Sequence, residues 1–270
     1  MKSNGLFACL AAIALSAPLF AAHTNNILIT GYWPPTNEMV RQFSTSPTQN
    51  PSGWVGGDWE GRGYDIYSYF PEFPNGVGQG VGDLEVDYQD TSEDFWRIAN
   101  EVQPVAIITF SRGRNGRNWE VEGAQRNLAT WVNDYTAPFQ PTPSPPDSSV
   151  PAGFVRPSTL PMQDIVDRLE NEFPVINPFI DPDGYGGGFL SEFIAYHGVW
   201  YQSLHSDPTD PAWSVAAGHI HVGINVTTQQ GIRATEITLR TLLDYVDTIV
   251  PEPTSFMLMA PLALLALRRR

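Results

Sequence analysis

Residues 91–110 read TSEDFWRIANEVQPVAIITF, and this stretch decides the fold. Thr91-Ser92-Glu93-Asp94 is a capping-type helix start, hydroxyls first and acids in the opening turn. Phe95, Ile98, Ala99 and Val102 then recur at helical spacing, which makes one stripe of the helix apolar. Pro104 ends the pattern, and Val105-Ala106-Ile107-Ile108-Thr109-Phe110 follows as a short apolar run. A strand without polar alternation must be covered on both faces. Helix followed by such a strand is the αβ unit of a parallel sheet. The expected fold is therefore α/β, a three-layer α/β/α sandwich with a mostly parallel central sheet.

The rest of the chain extends that unit. Asn26-Ile27-Leu28-Ile29-Thr30-Gly31 is a second buried strand leading into a loop. Met162, Ile165, Val166, Leu169 and Phe173 form one helical stripe after Ser158-Thr159-Leu160-Pro161, with Pro161 suited to the first turn. A helix from Ser191 to Leu204, a strand near His219 to Ile224 and a helix from Thr235 to Val246 complete the reading. Glu120 and Glu122 share one face if their segment is a strand. Two stretches are long and irregular: Gly53–Gly63, rich in Gly and Trp, and Ala137–Pro161, which holds eight prolines. Such loops are either functional lids or surface decoration. There is no internal repeat.

Both ends read as targeting segments. Met1-Lys2, an apolar core from Leu6 to Phe20 and Ala21-Ala22 describe a secretory signal peptide over residues 1–22. Val250-Pro251-Glu252-Pro253, the apolar run Phe256–Leu267 and Arg268-Arg269-Arg270 form the other end. That run is well short of the roughly 20 residues a membrane span needs. Residues 23–249 between them fit one domain. The whole chain carries a net charge of −14, and its only lysine (Lys2) and three of its arginines lie in the ends. The middle is therefore more acidic still, and such a surface repels nucleic acid. Cys9 is the sole cysteine, so the 23–249 region has no disulfide, thiolate nucleophile or cysteine-ligated metal.

Candidate chemistry lies in three places. Gly186-Gly187-Gly188-Phe189-Leu190-Ser191-Glu192 precedes a helix, whose free N–H groups can hold an oxyanion. Ser191 is a nucleophile there if a base reaches it; from local sequence alone it reads as an N-cap. His219-Ile220-His221 puts two imidazoles on one strand face, as a general base or as metal ligands. A metal needs a third ligand, and no spacing links His197 or His205 to that pair, so no metal and no other cofactor are expected. Glu120 or Glu122 would orient a histidine. Trp54, Trp59 and Trp119 would stack on sugar rings if exposed.

The order of these segments resembles the pyrrolidone-carboxylate peptidases, or pyroglutamyl peptidase I family. The family's Thr-Gly-Phe-x-Pro-Phe loop is similar to Thr30-Gly31-Tyr32-Trp33-Pro34-Pro35, and its Gly-Gly-Arg turn to Gly116-Arg117. Its Val-Glu-Arg-Val-Ala-Ile-Asn resembles Val121-Glu122-Gly123-Ala124-Gln125-Arg126-Asn127. Its Tyr-Leu-Cys stands where Phe189-Leu190-Ser191 do, and Gly-Phe-Ile-His-Val where Gly218-His219-Ile220-His221-Val222 do. The tail resembles the PEP-CTERM sorting signal, which implies an exosortase-type processing enzyme and a place in the cell envelope or outside it.

The resemblance implies a Cys-His-Glu site in the relatives. Carried over, Ser191 takes the nucleophile place, His221 the base and Glu122 its partner, with Glu120 as rival. Tyr32, Phe189, Leu190 and Arg117 fall at substrate-binding places. The chain departs from the pattern at Ser191, at Glu192, which puts a negative charge beside the oxyanion site, and at Pro35, where the second aromatic of a ring sandwich would stand. The expected function is hydrolysis of a small peptide or acyl-amide substrate through a Ser-His-Glu site. The alternative is a catalytically inactive family member that binds envelope or exopolysaccharide-matrix material.

Overall fold

The computed structural model describes residues 23–250, apart from Arg117 and Tyr185. The expected signal peptide, the sorting tail beyond Val250 and the Arg117 side chain thus lie outside the described residues. Strand β1 (Asn26–Thr30) forms at the first apolar run. Helix α1 (Thr36–Val40) follows, then β2 (Asp65–Tyr69), whose alternating burial fits its place at the sheet edge.

Helix α2 (Tyr88–Val102) opens nearly a turn earlier than Thr91-Ser92-Glu93-Asp94 suggests. Its cap is Asp87, whose carboxylate accepts the backbone N–H groups of Gln89 and Asp90. Thr91 is instead buried, and its hydroxyl donates to the Glu85 carbonyl at 2.7 Å. Next come β3 (Ala106–Arg112), β4 (Trp119–Glu122), β5 (Ala124–Arg126) and β6 (Val155–Pro157). Helix α3 (Met162–Glu172) has Pro161 at its N-cap rather than inside its first turn. Strand β7 (Pro178–Asp181), helix α4 (Leu190–Leu204), strand β8 (Ala216–Val222) and helix α5 (Thr228–Ile249) complete the fold. Helix α5 begins two turns before Thr235 because Thr227 and Gln230 form a reciprocal capping box.

The main sheet has the order β2-β1-β3-β8-β4-β7. Strands β2, β1, β3 and β8 run parallel; β4 is antiparallel to β8, and β7 parallel to β4. Helices α2 and α4 cover one face, over a core that includes Leu28, Ile107 and Ala217. Helices α1, α3 and α5 gather on the other, over Ile29, Ile108 and Ile220. This is the three-layer sandwich expected from residues 91–110. In sheets of this kind, ligands bind beyond the carboxyl ends of the parallel strands, where neighbouring connections diverge.

The proline-rich loop is pinned from inside. Asp147 is fully buried, bonded at 2.8 Å to Arg156 and at 3.0 Å to the Tyr196 hydroxyl of α4. Asn127 clasps the same turn, donating to the Asp147 carbonyl and accepting its N–H. Two of the three tryptophans proposed as sugar platforms are core residues. Trp119 is 0% and Trp59 6% exposed, because each belongs to the apolar cluster beneath α5. Trp54 is stacked on Tyr67 with ring centroids 5.1 Å apart. Among the described residues no helix is long and apolar enough to cross a membrane.

Candidate active site

Strand pairing builds a polar row inside the α4-covered face. Thr109 is in register with His219 and Ser111 with His221 on β3 and β8; on the far side of β8, Glu122 faces His219 and Glu120 faces His221. Residues in register or two apart project to one face, so all six share it. His221 Nδ1 lies 2.5 Å from Glu122 Oε1. Glu120 turns to Arg114 at 3.1 Å, so of the two candidate carboxylates Glu122 is the one that holds the imidazole.

The pair is electrostatically coupled. Burial pushes the Glu122 carboxyl up, but the His221 hydrogen bond and the charge of the nearby imidazoles bring it below the usual carboxylate value. Burial works against the His221 imidazolium, but the Glu122 bond and charge hold its pKa above the ordinary histidine value. The ring is 9% exposed, and no described residue hydrogen-bonds its Nε2. Glu122 Oε2 and the Gln125 carboxamide adjoin without a well-formed hydrogen bond, yet Gln125 is near enough to help lower the Glu122 pKa.

His219 is a different kind of histidine. It is fully buried, with Nδ1 2.7 Å from the Thr109 hydroxyl and Nε2 2.8 Å from the Ser111 hydroxyl. Burial drives its pKa down to about 3, so it stays neutral and is a weak base. Glu122, His219 and His221 bring ligand-type atoms within 4.8 Å of one another. A metal there would have to displace a hydroxyl from His219, whose two ring nitrogens are both bonded, whereas Glu122 Oε2 and His221 Nε2 have no partner to lose. His197 sits in an aromatic cage, its pKa lowered to about 4 by burial, and His205 pairs with Asp210. Neither joins the site.

Ser191 is the second residue of α4, and the N-cap is Phe189. The N-cap reading of Ser191 is therefore overturned: its hydroxyl makes no capping bond and lines a cleft. Gly187 and Gly188 have φ of +79° and +69°, which lets the chain wrap over this helix tip. No described residue accepts the N–H groups of Leu190 or Ser191, leaving two donors beside the hydroxyl. Ser191 and His221 are not hydrogen-bonded to each other. His221 is not among the residues that line the cleft with Ser191, while the charge of Glu192 contributes to the raised His221 pKa.

Glu192 itself corrects the sequence reading. Its carboxylate accepts backbone N–H groups of Arg126 at 2.5 Å and Gly186 at 2.7 Å, which engages it on structure the sequence does not show. It ties the glycine loop to β5. Burial outweighs these two donors and pushes its pKa up to about 7. A carboxyl raised in the folded state favours folding when protonated, and that advantage is lost as pH rises from about 4.5 through about 7. Glu192→Gln cannot ionise, so its thermal midpoint should fall less than wild type's between pH 5 and pH 8. Parallel midpoints for the two proteins would show that Glu192 is ionised throughout.

The cleft is open to solvent, and the space within it, solvent-open part included, is about 210 Å³. Its walls are Tyr32, Trp33 and Phe189 with Val86 and Leu190, and Ser111, Arg112 and Ser191 are its polar residues. Tyr32, Phe189 and Leu190, read from the sequence as substrate-binding, are among these lining residues. Tyr32 is buried with its hydroxyl 2.9 Å from Thr91, and burial raises its pKa. Trp33 and Phe189 face each other with ring centroids 6.1 Å apart. An inserted ring needs about 7 Å between its two neighbours, so this pair is in contact rather than open as a sandwich. Trp33, Ser111, Thr109 and Arg112 escaped the sequence reading. The alternation Thr109-Phe110-Ser111 at the end of an apolar strand was the available signal.

No family model and no curated protein matches the chain. Solved structures do. Pyrrolidone carboxyl peptidase from Thermococcus litoralis aligns with a TM-score of 0.59 at 17% identity, covering 84% of this chain and 99% of that one. Pyrrolidone carboxyl peptidase from Pyrococcus furiosus, solved with its cysteine-free mutant, aligns at 0.57 and 14% identity, covering 82% and 99%. At such identities the likeness is one of fold: a mostly parallel α/β sheet with helices packed on it, as in the pyrrolidone carboxyl peptidases.

Proposed function

We propose that this chain is a pyroglutamyl-peptidase-like hydrolase that cleaves an amide or ester through Ser191, His221 and Glu122. The observation that carries the reading is the 2.5 Å bond between Glu122 and His221 Nδ1, with Nε2 left without a described partner. A buried carboxylate fixes the tautomer in which Nε2 accepts a proton. In this reading His221 takes the Ser191 proton as Oγ attacks the acyl carbon. The N–H groups at the tip of α4 hold the oxyanion. His221 then returns the proton to the departing amine or alcohol, and water releases the acyl group by the same route. Substrate binding draws the hydroxyl and the imidazole together, as catalytic hydrogen bonds often tighten only in the complex. Ser111 is the weaker candidate although it bonds a histidine, because a base with a pKa of about 3 has little pull on a hydroxyl proton. The export signals read from both ends would place the reaction outside the cytoplasm.

The test is covalent labelling. A fluorophosphonate, which needs an activated serine, should add to one residue, and peptide mass spectrometry should find it on Ser191. Labelling should vanish in His221→Ala. An adduct on Ser111, or none together with no turnover of pyroglutamyl, acyl-amide and ester reporters, would remove the proposed triad.

A further inference from the structure

Gln125 stands at the middle of β5, opposite Arg156 of β6, and α4 packs across that strand. Its side chain is fully buried, and neither end of its carboxamide has a well-formed hydrogen bond. A buried amide without partners is costly, so one in this position calls for a reason. An orphan of the opposite kind adjoins it. Glu122 Oε2 is a buried acceptor without a well-formed bond, while Oε1 of the same carboxylate holds His221. The two residues are three apart across Gly123, where β4 turns into β5. A Cβ at Gly123 would stand 2.6 Å from the Pro182 carbonyl, so the turn excludes a side chain. Gln125 is also among the groups that bring the Glu122 pKa down.

From this we infer that Gln125 is a positioning residue of the proposed triad: its amide N–H donates to Glu122 Oε2 and keeps Oε1 aimed at His221. The inference rests on the hydrolase reading for Ser191 and deepens it. A carboxylate held by one oxygen can swing about its Cγ–Cδ bond, a soft torsion, and a second donor fixes both oxygens. A hydrogen bond given to a carboxylate also favours its ionised form. Both effects serve a hydroxyl nucleophile in particular. Ser191 gives up its proton only as it attacks, so the imidazolium forms late and needs an ionised, correctly aimed carboxylate at that moment. The pattern that residues 121–127 resemble, Val-Glu-Arg-Val-Ala-Ile-Asn, has alanine where Gln125 stands. The amide thus accompanies the exchange of thiol for hydroxyl. It takes no part in proton transfer.

The contact is read by NMR, without turnover. In wild type the Gln125 side-chain N–H signals should move with pH along the same curve as the Glu122 carboxyl carbon, which the Glu122→Gln variant assigns. Gln125→Met keeps the length of the side chain and removes the donor. In it the Glu122 acid constant should fall about tenfold, as expected when a hydrogen bond to a charged group is lost. His219 and His221 of β8, Glu120 of β4 and Glu192 of α4 also act on Glu122, and all are unchanged in that variant. On any reporter that the wild type cleaves, Gln125→Met should lower kcat about tenfold with KM unchanged. A purely structural amide gives the opposite pattern: Gln125→Met would relieve an unbonded group, raise the thermal midpoint and leave the Glu122 titration where it was. That pattern, Gln125 signals that ignore Glu122, or an unchanged kcat would each overturn the inference. The wild-type signals decide the contact even where the Met variant does not fold, and the labelling of Ser191 decides the hydrolase reading on its own.

Discussion

Ser191→Ala should lower kcat/KM about 10⁴-fold or more on any reporter that the wild type cleaves, with KM little changed. Removing the attacking atom costs nearly all the covalent route, while binding in the cleft and the helix-tip donors remain. Ser191→Cys is the more informative partner. The resemblance implies a thiol at this position in the relatives, and the scaffold around it persists: a glycine run with two positive-φ residues, a helix tip with free N–H groups, and a carboxylate-held imidazole. A thiol at that tip ionises far more readily than a hydroxyl. The variant should therefore retain or raise turnover, and should become sensitive to iodoacetamide. Because Cys9 lies in the segment before residue 23, the 23–250 region would then contain a single thiol. Alkylation that follows the loss of activity one for one would tie the chemistry to this position. Equal rates in wild type, Ser191→Ala and Ser191→Cys would take Ser191 out of the reaction.

What could be read from the sequence follows the range of the interactions involved. The fold was legible because it rests on local periodicity: the apolar stripe of α2 and the unbroken run of β3 carry their burial in their own residues. Caps were less legible. Asp87 and Thr227 compete with nearby hydroxyls and acids for the same backbone donors, and only the folded chain decides which one wins. The resemblance puts Glu122 ahead of Glu120 as partner of His221; the β4–β8 register alone sets Glu120 opposite that histidine, and it is the side-chain directions, Glu120 to Arg114 and Glu122 to His221, that no local pattern encodes. Glu192 is another case: in sequence it is only a charge beside a helix tip, and the two backbone donors that engage its carboxylate come from residues far along the chain or across the glycine loop. The contact between Trp33 and Phe189 joins residues over 150 positions apart.

Glu122→Gln should reduce kcat/KM by about 10²- to 10⁴-fold and move the acid limb of its pH profile downward. An amide can donate to Nδ1 as well as accept from it, so the imidazole is no longer fixed with Nε2 free to take a proton. Without the carboxylate's charge the His221 pKa falls from its raised position, and the base stays neutral at lower pH. Stability runs the other way through the same groups. The Glu122 pKa is lowered and the His221 pKa raised, so the pair contributes most between about pH 4.5 and pH 6.5, the ordinary values of the two groups. Above that window the contribution fades as His221 loses its proton at its folded pKa; below it, as Glu122 gains one. Truncation to Glu122→Ala leaves a nearly buried imidazole without its counter-charge and should cost about 3–5 kcal/mol inside the window. Wild-type kcat/KM should rise with pH about the folded-state pKa of His221. The stability gap between wild type and Glu122→Ala should begin to narrow near pH 6.5, the ordinary histidine value, and level off near that same folded pKa. Chemical denaturation and kcat/KM measured on one pH series test both limbs together. A gap that levels off far from the kinetic midpoint would mean that the proton taken up in catalysis does not reside on His221.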